Sequence, residues 1–131
     1  MFGTNSRGVN AYARINVETG VTAATPQRLV VMLYEGAIAA CSSALLHMRS
    51  GNVAEKGAAL SKAIMIIESG LRASLDQKAG GEISANLDAL YAYMSNRLYI
   101  ANLKNQSEPI EEVMRLLGDF KSAWEAIAAQ A

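Results

Sequence analysis

The sequence predicts an all-α fold: an antiparallel up-down-up-down four-helix bundle preceded by a short N-terminal cap segment. Three observations predict it. Apolar residues recur at spacings of three and four in four successive segments. No apolar–polar alternation of strand type is sustained anywhere. The turns between the segments are short, roughly three to six residues, and connections of that length make sequence neighbours run antiparallel.

Length and composition fit that class. The chain has 131 residues, 51% apolar and 18% charged, with twelve basic side chains against twelve acidic ones. One domain of this size buries roughly two-thirds of the surface its unfolded chain exposes. Zero net charge argues against general nucleic-acid binding, which needs concentrated positive charge to displace counterions from phosphate. It also leaves little self-repulsion to keep copies apart.

Residues 1–24 differ from the rest. Gly, Asn, Thr and Ser are frequent there and apolar side chains sparse. Tyr12, Ile15 and Val17 form a pattern too short for a stable isolated helix, so the segment is expected to be a flexible or loosely docked arm. It lacks the apolar stretch of a secretory signal and carries Arg7, Arg14 and Glu18.

The bundle is expected over residues 25–131. Its first helix, 25–49, begins at Thr25-Pro26: Thr accepts from a first-turn amide, and Pro at the first position forgoes a donor that is not needed. The stripe Val30, Leu33, Tyr34, Ala37, Cys41, Ala44, Leu45 and Met48 follows, and Arg49-Ser50-Gly51 closes it. Leu29 to Met48 is apolar enough to test as a membrane span. Glu35 near its centre would cost roughly 2.5 to 3.5 kcal/mol there, so a buried bundle helix is expected and no membrane insertion.

The second helix, 52–75, opens on Asn52-Val53-Ala54-Glu55, which reads as a capping box. Its stripe is Gly57, Leu60, Ile64, Ile67, Leu71 and Leu75, with Met65 and Ile66 off it. The third helix, 82–105, follows a loop ending in Gly80-Gly81. It carries Ile83, Leu87, Leu90, Tyr91, Met94, Leu98 and Ala101, and a second stripe of Tyr93, Arg97 and Ile100. The fourth, 108–129, starts after Ser107 with Pro109 in its first turn and runs Ile110, Val113, Leu117, Phe120, Trp124 and Ile127.

Chemistry-bearing constellations are not found. A di-iron bundle needs Glu-x-x-His pairs on two helices, whereas His47 is the single histidine. The single cysteine, Cys41, lies on an apolar stripe and reads as a small hydrophobe in a reducing compartment. Gly80-Gly81 lacks the strand and lysine of a phosphate loop. No catalytic residue, metal or cofactor is expected, and the chain does not read as an enzyme. Gly36, Gly57, Gly70 and Gly118 inside helices admit two accounts: close helix crossings, or a groove that a bound peptide backbone approaches. The tyrosines are more informative, because Tyr91 and Tyr93 cannot both point into one narrow core. With Met65, Ile66 and Ile100 they suggest an apolar groove beyond the core.

The sequence also resembles a known family. Ala11-Tyr12-Ala13, Val17-Glu18-Thr19, Ala24-Thr25-Pro26 and Met32-Leu33-Tyr34-Glu35-Gly36-Ala37 carry the likeness at one end. Leu60-Ser61-Lys62-Ala63-Ile64, Gly80-Gly81-Glu82-Ile83, Tyr93-Met94, Arg97-Leu98 and Ala101-Asn102-Leu103 continue it, and Glu111-Glu112-Val113 and Ala123-Trp124 end it. In this collinear series the chain is similar to the flagellin-specific export chaperones, the FliS family. The resemblance implies a cytoplasmic chaperone that binds the disordered C-terminal segment of flagellin, prevents premature polymerisation and delivers it to the flagellar type III export gate. A disordered amphipathic segment that folds on binding needs a large apolar surface to offset its ordering. The expected groove comprises Met65, Ile66, Tyr93, Arg97 and Ile100, with Tyr12, Ile15 and Val17 as its cap in the free protein. A self-associating helical module, a homodimer for instance, is the alternative that neutral charge permits.

Overall fold

Thr25 and Pro26 start the first helix. In the computed structural model, which describes residues 25–130, the Thr25 hydroxyl accepts from the Arg28 amide at 3.1 Å and Pro26 takes the first helical position. The expected cap residues Tyr12, Ile15 and Val17 lie outside the described residues. Helix α1 runs Pro26–Arg49. It ends on a Schellman motif: the Gly51 amide reaches the Met48 carbonyl at 3.3 Å and the Asn52 amide reaches His47 at 2.9 Å. Gly51 supplies the left-handed φ of 74° that this turn requires. Among the described residues α1 is the one helix long and apolar enough to cross a membrane, and half of its most apolar window is buried in the bundle.

Helix α2 spans Val53–Met65 and passes without a break into a π-helical turn, Ile66–Arg72. The expected capping box does not form as such. Asn52 makes no side-chain cap bond; its amide group lies 3.2 Å from His47 Nδ1 instead. The π turn also corrects the reading of Ile66. With one residue more in the hydrogen-bonded turn, Ile66 and Ile67 both reach the core, and Ile66 is 2% exposed. It therefore lines no surface groove.

Helix α3 is Gln77–Lys104 and leaves helical geometry at Gly81, at φ 55° and ψ −126°. The glycine pair expected to close a loop thus interrupts a helix. α3 ends on a second Schellman motif, with Asn105 at φ 54° and the Gln106 amide on the Ala101 carbonyl at 3.0 Å. Lys56 is buried there because its ammonium donates to the Asn102 carbonyl at 3.3 Å and to Asn105 Oδ1 at 2.9 Å, where a helix dipole ends negative. Helix α4 is Glu108–Gln130.

The described residues contain four helices and no strand, an all-α four-helix bundle. Each helix packs on its sequence neighbours, and α4 packs back on α1 to close the ring. The diagonal pairs make no backbone approach within 8 Å, so side chains fill the centre. Leu33, Tyr34, Cys41, Leu60, Ile67, Met94, Leu98, Ile110 and Leu117 form that core.

Two contacts fix its tightness. The hydroxyls of Tyr34 on α1 and Tyr91 on α3 share a buried hydrogen bond across the diagonal. The Trp124 indole of α4 lies beside the Tyr34 hydroxyl, and Phe120 stacks on the Tyr34 ring at 6.4 Å between centroids. At Gly70, a Cβ would come within 2.8 Å of Leu33 Cδ2, and Leu33 is fully buried. Gly70→Ala is expected to lower stability by about 1–3 kcal/mol through overpacking, read as a lower urea midpoint at unchanged slope. A gain of about 1 kcal/mol, as helix propensity alone dictates, would contradict this packing.

Candidate functional site

α3 is the helix that faces both inward and outward. Tyr91, Met94, Leu98 and Ala101 are in the core. Of the eight large apolar side chains exposed among the described residues, four lie on α3: Ile83, Tyr93, Tyr99 and Leu103. Tyr91 and Tyr93 thus divide between core and surface, because two residues on a helix are separated by about 200°.

The expected groove residues do not form one patch. Tyr93, at 43% exposure, and Arg97 lie at the α3–α4 seam, gripped by one carboxylate. The Tyr93 hydroxyl donates to Glu112 Oε2 at 2.6 Å and the Arg97 Nε donates to Glu112 Oε1 at 2.7 Å. Ile100 is half-buried on the same helix. Met65 is 56% exposed on α2, and Ile66 is inside. The Glu112 carboxylate is held below the usual range, first by the Tyr93 hydroxyl and then by Arg97. The same hydrogen bond raises the Tyr93 phenol. Sequence reading had placed Glu112 only near a helix start. Its partnership with Arg97 follows from α3 and α4 running antiparallel through a short turn.

A second polar seam ties α3 to the π turn. Arg72 Nε donates to Asp88 Oδ1 at 2.6 Å, Arg72 also meets Glu68 at 3.0 Å, and the Ser95 hydroxyl donates to Glu68 at 2.7 Å. Asp88, Ser95 and Asn102, seven residues apart, share one face of α3 and meet this helix along its length. The Arg72 guanidinium holds the Asp88 carboxyl below its ordinary value.

Sequence reading did not find one apolar concavity of the bundle. A pocket of about 230 Å³ opens at the end of the bundle where α1 and α3 begin and α4 ends. Val30, Leu71, Leu75, Ile83, Leu87, Tyr91 and Trp124 supply its apolar lining, with Ser74, Asp76 and Ser84 beside them. Most of these residues read from sequence as ordinary core stripe. The available signal was that they are the terminal members of four stripes, where no further turn of helix covers them. Tyr91 and Trp124, the chain's single tryptophan, both line it.

The other groups singled out from the sequence are structural. Cys41 is fully buried, and burial pushes its thiol up to about 12, away from a reactive thiolate. The features of this surface are therefore those of a binding face: exposed aromatic and aliphatic side chains, a pocket the size of a few side-chain groups, and charges committed to holding helices together.

The comparisons with known proteins agree with one another. Residues 8–131 match the family model described as "Flagellar protein FliS". The chain is 49% identical over 124 residues to the flagellar secretion chaperone FliS of Salmonella typhimurium, covering 95% of this chain and 92% of that protein. It is 47% identical over 119 residues to the protein of the same name in Escherichia coli K12, covering 91% and 88%. To that of Bacillus subtilis 168 it is 35% identical over 107 residues, covering 82% and 78%.

The Glu112 and Asp88 contacts have a pH consequence. Both carboxyls are depressed in the folded chain, so their stabilisation is present above the unfolded value of about 4. It is lost as pH falls through the lower folded values. Glu112→Gln is expected to flatten the loss of thermal stability between pH 5 and pH 2, followed by circular dichroism. A variant with the full acid-dependent loss would show that Glu112 does not carry it.

Proposed function

The chain belongs to the FliS family of flagellar secretion chaperones, and we propose that its client is flagellin, bound through the disordered C-terminal segment that later packs inside the filament. Binding masks the segment in the cytoplasm, prevents premature polymerisation, and presents the subunit to the flagellar export gate. The protein acts by binding, without catalysis.

The observation that carries this reading is the apolar character of α3 beyond its core face, together with the adjoining pocket. An amphipathic segment that folds as helices on its partner presents apolar side chains at spacings of three and four. Tyr93, Arg97 and Ile100 remain the proposed docking surface along α3, with Met65 apart from them on α2 and Ile66 withdrawn to the core, and the pocket is added as a socket for one anchoring side chain. Tyr93 and Arg97 offer amphipathic surface already ordered by Glu112, which lowers the side-chain entropy lost on docking. Tyr12, Ile15 and Val17 are proposed to cover this surface in the free protein and to be displaced by the client.

Isothermal titration tests the client. Full-length flagellin is expected to bind, and flagellin lacking its C-terminal segment is expected to lose measurable affinity. Equal binding of both, or of neither, would overturn the reading; the latter with a concentration-dependent dimer would favour a self-associating module. Deleting residues 1–18 is expected to speed association in stopped-flow measurements. An unchanged or slower rate would sink displacement of the arm.

A further inference from the structure

Seven of the described residues that line the pocket are apolar, and two of these, Tyr91 and Trp124, are aromatic. An apolar cavity of about 150 Å³ stays dry and takes up benzene, a ring of six heavy atoms. At about 230 Å³ this pocket is roughly half as large again, which suits a fused ring of nine or ten. Leu71 and Tyr91 belong to the core, and Val30, Leu75, Leu87 and Trp124 pack half-buried against it. A ring placed here therefore meets side chains that the bundle already holds in position. Being rigid, it has no rotamers to lose on binding, and the two aromatic side chains offer it stacked or edge-on contact.

The polar residues of the lining narrow the choice further. The Ser74 hydroxyl donates to the Gly70 carbonyl at 2.5 Å, and the Ser84 hydroxyl donates to the Asp76 carbonyl at 2.9 Å. Each serine has committed its one proton to the backbone and keeps its lone pairs. Both can accept from a ligand, and neither has a proton left to give. Ser84 is 6% exposed, so its oxygen belongs to the interior of the site and not to its rim. Among the described lining residues there is no lysine, arginine or histidine, and the one acidic residue, Asp76, is exposed. A carboxylate or phosphate would find no counter-charge here, and an ammonium would have to leave water for apolar walls.

We propose that the pocket is a binding site for a small uncharged aromatic molecule, a fused bicyclic ring that carries one hydrogen-bond donor. Indole is the simplest member of that class. The ring lies among Leu71, Leu87, Tyr91 and Trp124, and its N–H donates to a serine hydroxyl oxygen. Binding is non-covalent and leaves the molecule unchanged. The site needs no protein client, so it stands or falls apart from the flagellin reading above. Its selectivity has two separable sources: the volume and apolar lining choose the ring, and the two acceptor-only serines choose the donor.

Nuclear magnetic resonance of the isotope-labelled full chain tests the site, with unlabelled indole as the probe. Trp124 is the single tryptophan, so the protein's one indole N–H resonance reports on the pocket. Indole is expected to shift it saturably, with half-saturation at or below about 1 mM, a level that nine heavy atoms reach at ordinary ligand efficiency. The methyl groups of Val30, Leu71, Leu75 and Leu87 are expected to move in step, and those of Leu46, at the opposite end of the bundle, to stay in place. A shift that remains linear to the solubility limit, or one that Leu46 shares equally, would overturn the site. 1-Methylindole, the same ring without its donor, is expected to bind about three- to tenfold more weakly, the worth of one hydrogen bond. Combining Ser74→Ala with Ser84→Ala is expected to erase that difference. Equal binding of the two molecules by the unaltered chain would overturn the donor assignment, whether or not the double variant folds. So would a difference that a folded double variant retains.

Discussion

Everything in this bundle is arranged around the need to bury the hydroxyl of Tyr34. A phenol at the centre of a four-helix core loses its water, and an unmet hydroxyl there costs roughly 1–3 kcal/mol. The chain meets it with the Tyr91 hydroxyl across the diagonal, and the Trp124 indole of α4 lies beside it. Because the diagonal helices make no backbone contact, this hydrogen bond fixes α1 relative to α3 where backbone packing does not. Burial raises the phenols of both tyrosines above their ordinary value. Among the described residues no buried side-chain nitrogen or oxygen lacks a partner.

The same cluster explains where the surface chemistry lies. Tyr91 and Trp124 meet near one end of the bundle, where the four helix stripes end and leave the apolar pocket. Toward the other end of α3, Glu112 holds Tyr93 and Arg97 to α4. The two features lie along one helix. The seam presents ordered amphipathic side chains, while the pocket has one wall between a π turn and a positive-φ glycine. A chaperone surface of this kind combines preorganised contacts with an apolar socket.

The fold class was legible because helix signals are local and repeated. Thr25-Pro26 has a physical meaning that needs no tertiary context, and the division of Tyr91 from Tyr93 follows from helical angle alone. Ile66 was misplaced because periodicity assumes 100° per residue, and nothing in the local sequence announces an inserted residue. Asn52 looked like a cap because the pattern matched, but His47 in the preceding turn competes for its side chain. The Glu112 grip and the pocket depend on which helix ends meet, which is settled by tertiary packing. The pocket residues are as apolar as any core stripe, so their exposure was invisible until the helix ends were placed.

The account's central claim is that the client docks along α3 and into the pocket at its N-terminal end. Site-specific photo-crosslinking tests it directly, with a photoreactive residue in place of Ile83 beside the pocket or of Leu46 at the opposite end of the bundle. Both positions are strongly exposed, at 71% and 61%, so reach alone does not favour either. The account predicts crosslinks from Ile83 to the C-terminal segment of flagellin and none above background from Leu46. Crosslinks from Leu46 alone would place the client on a different face and contradict it.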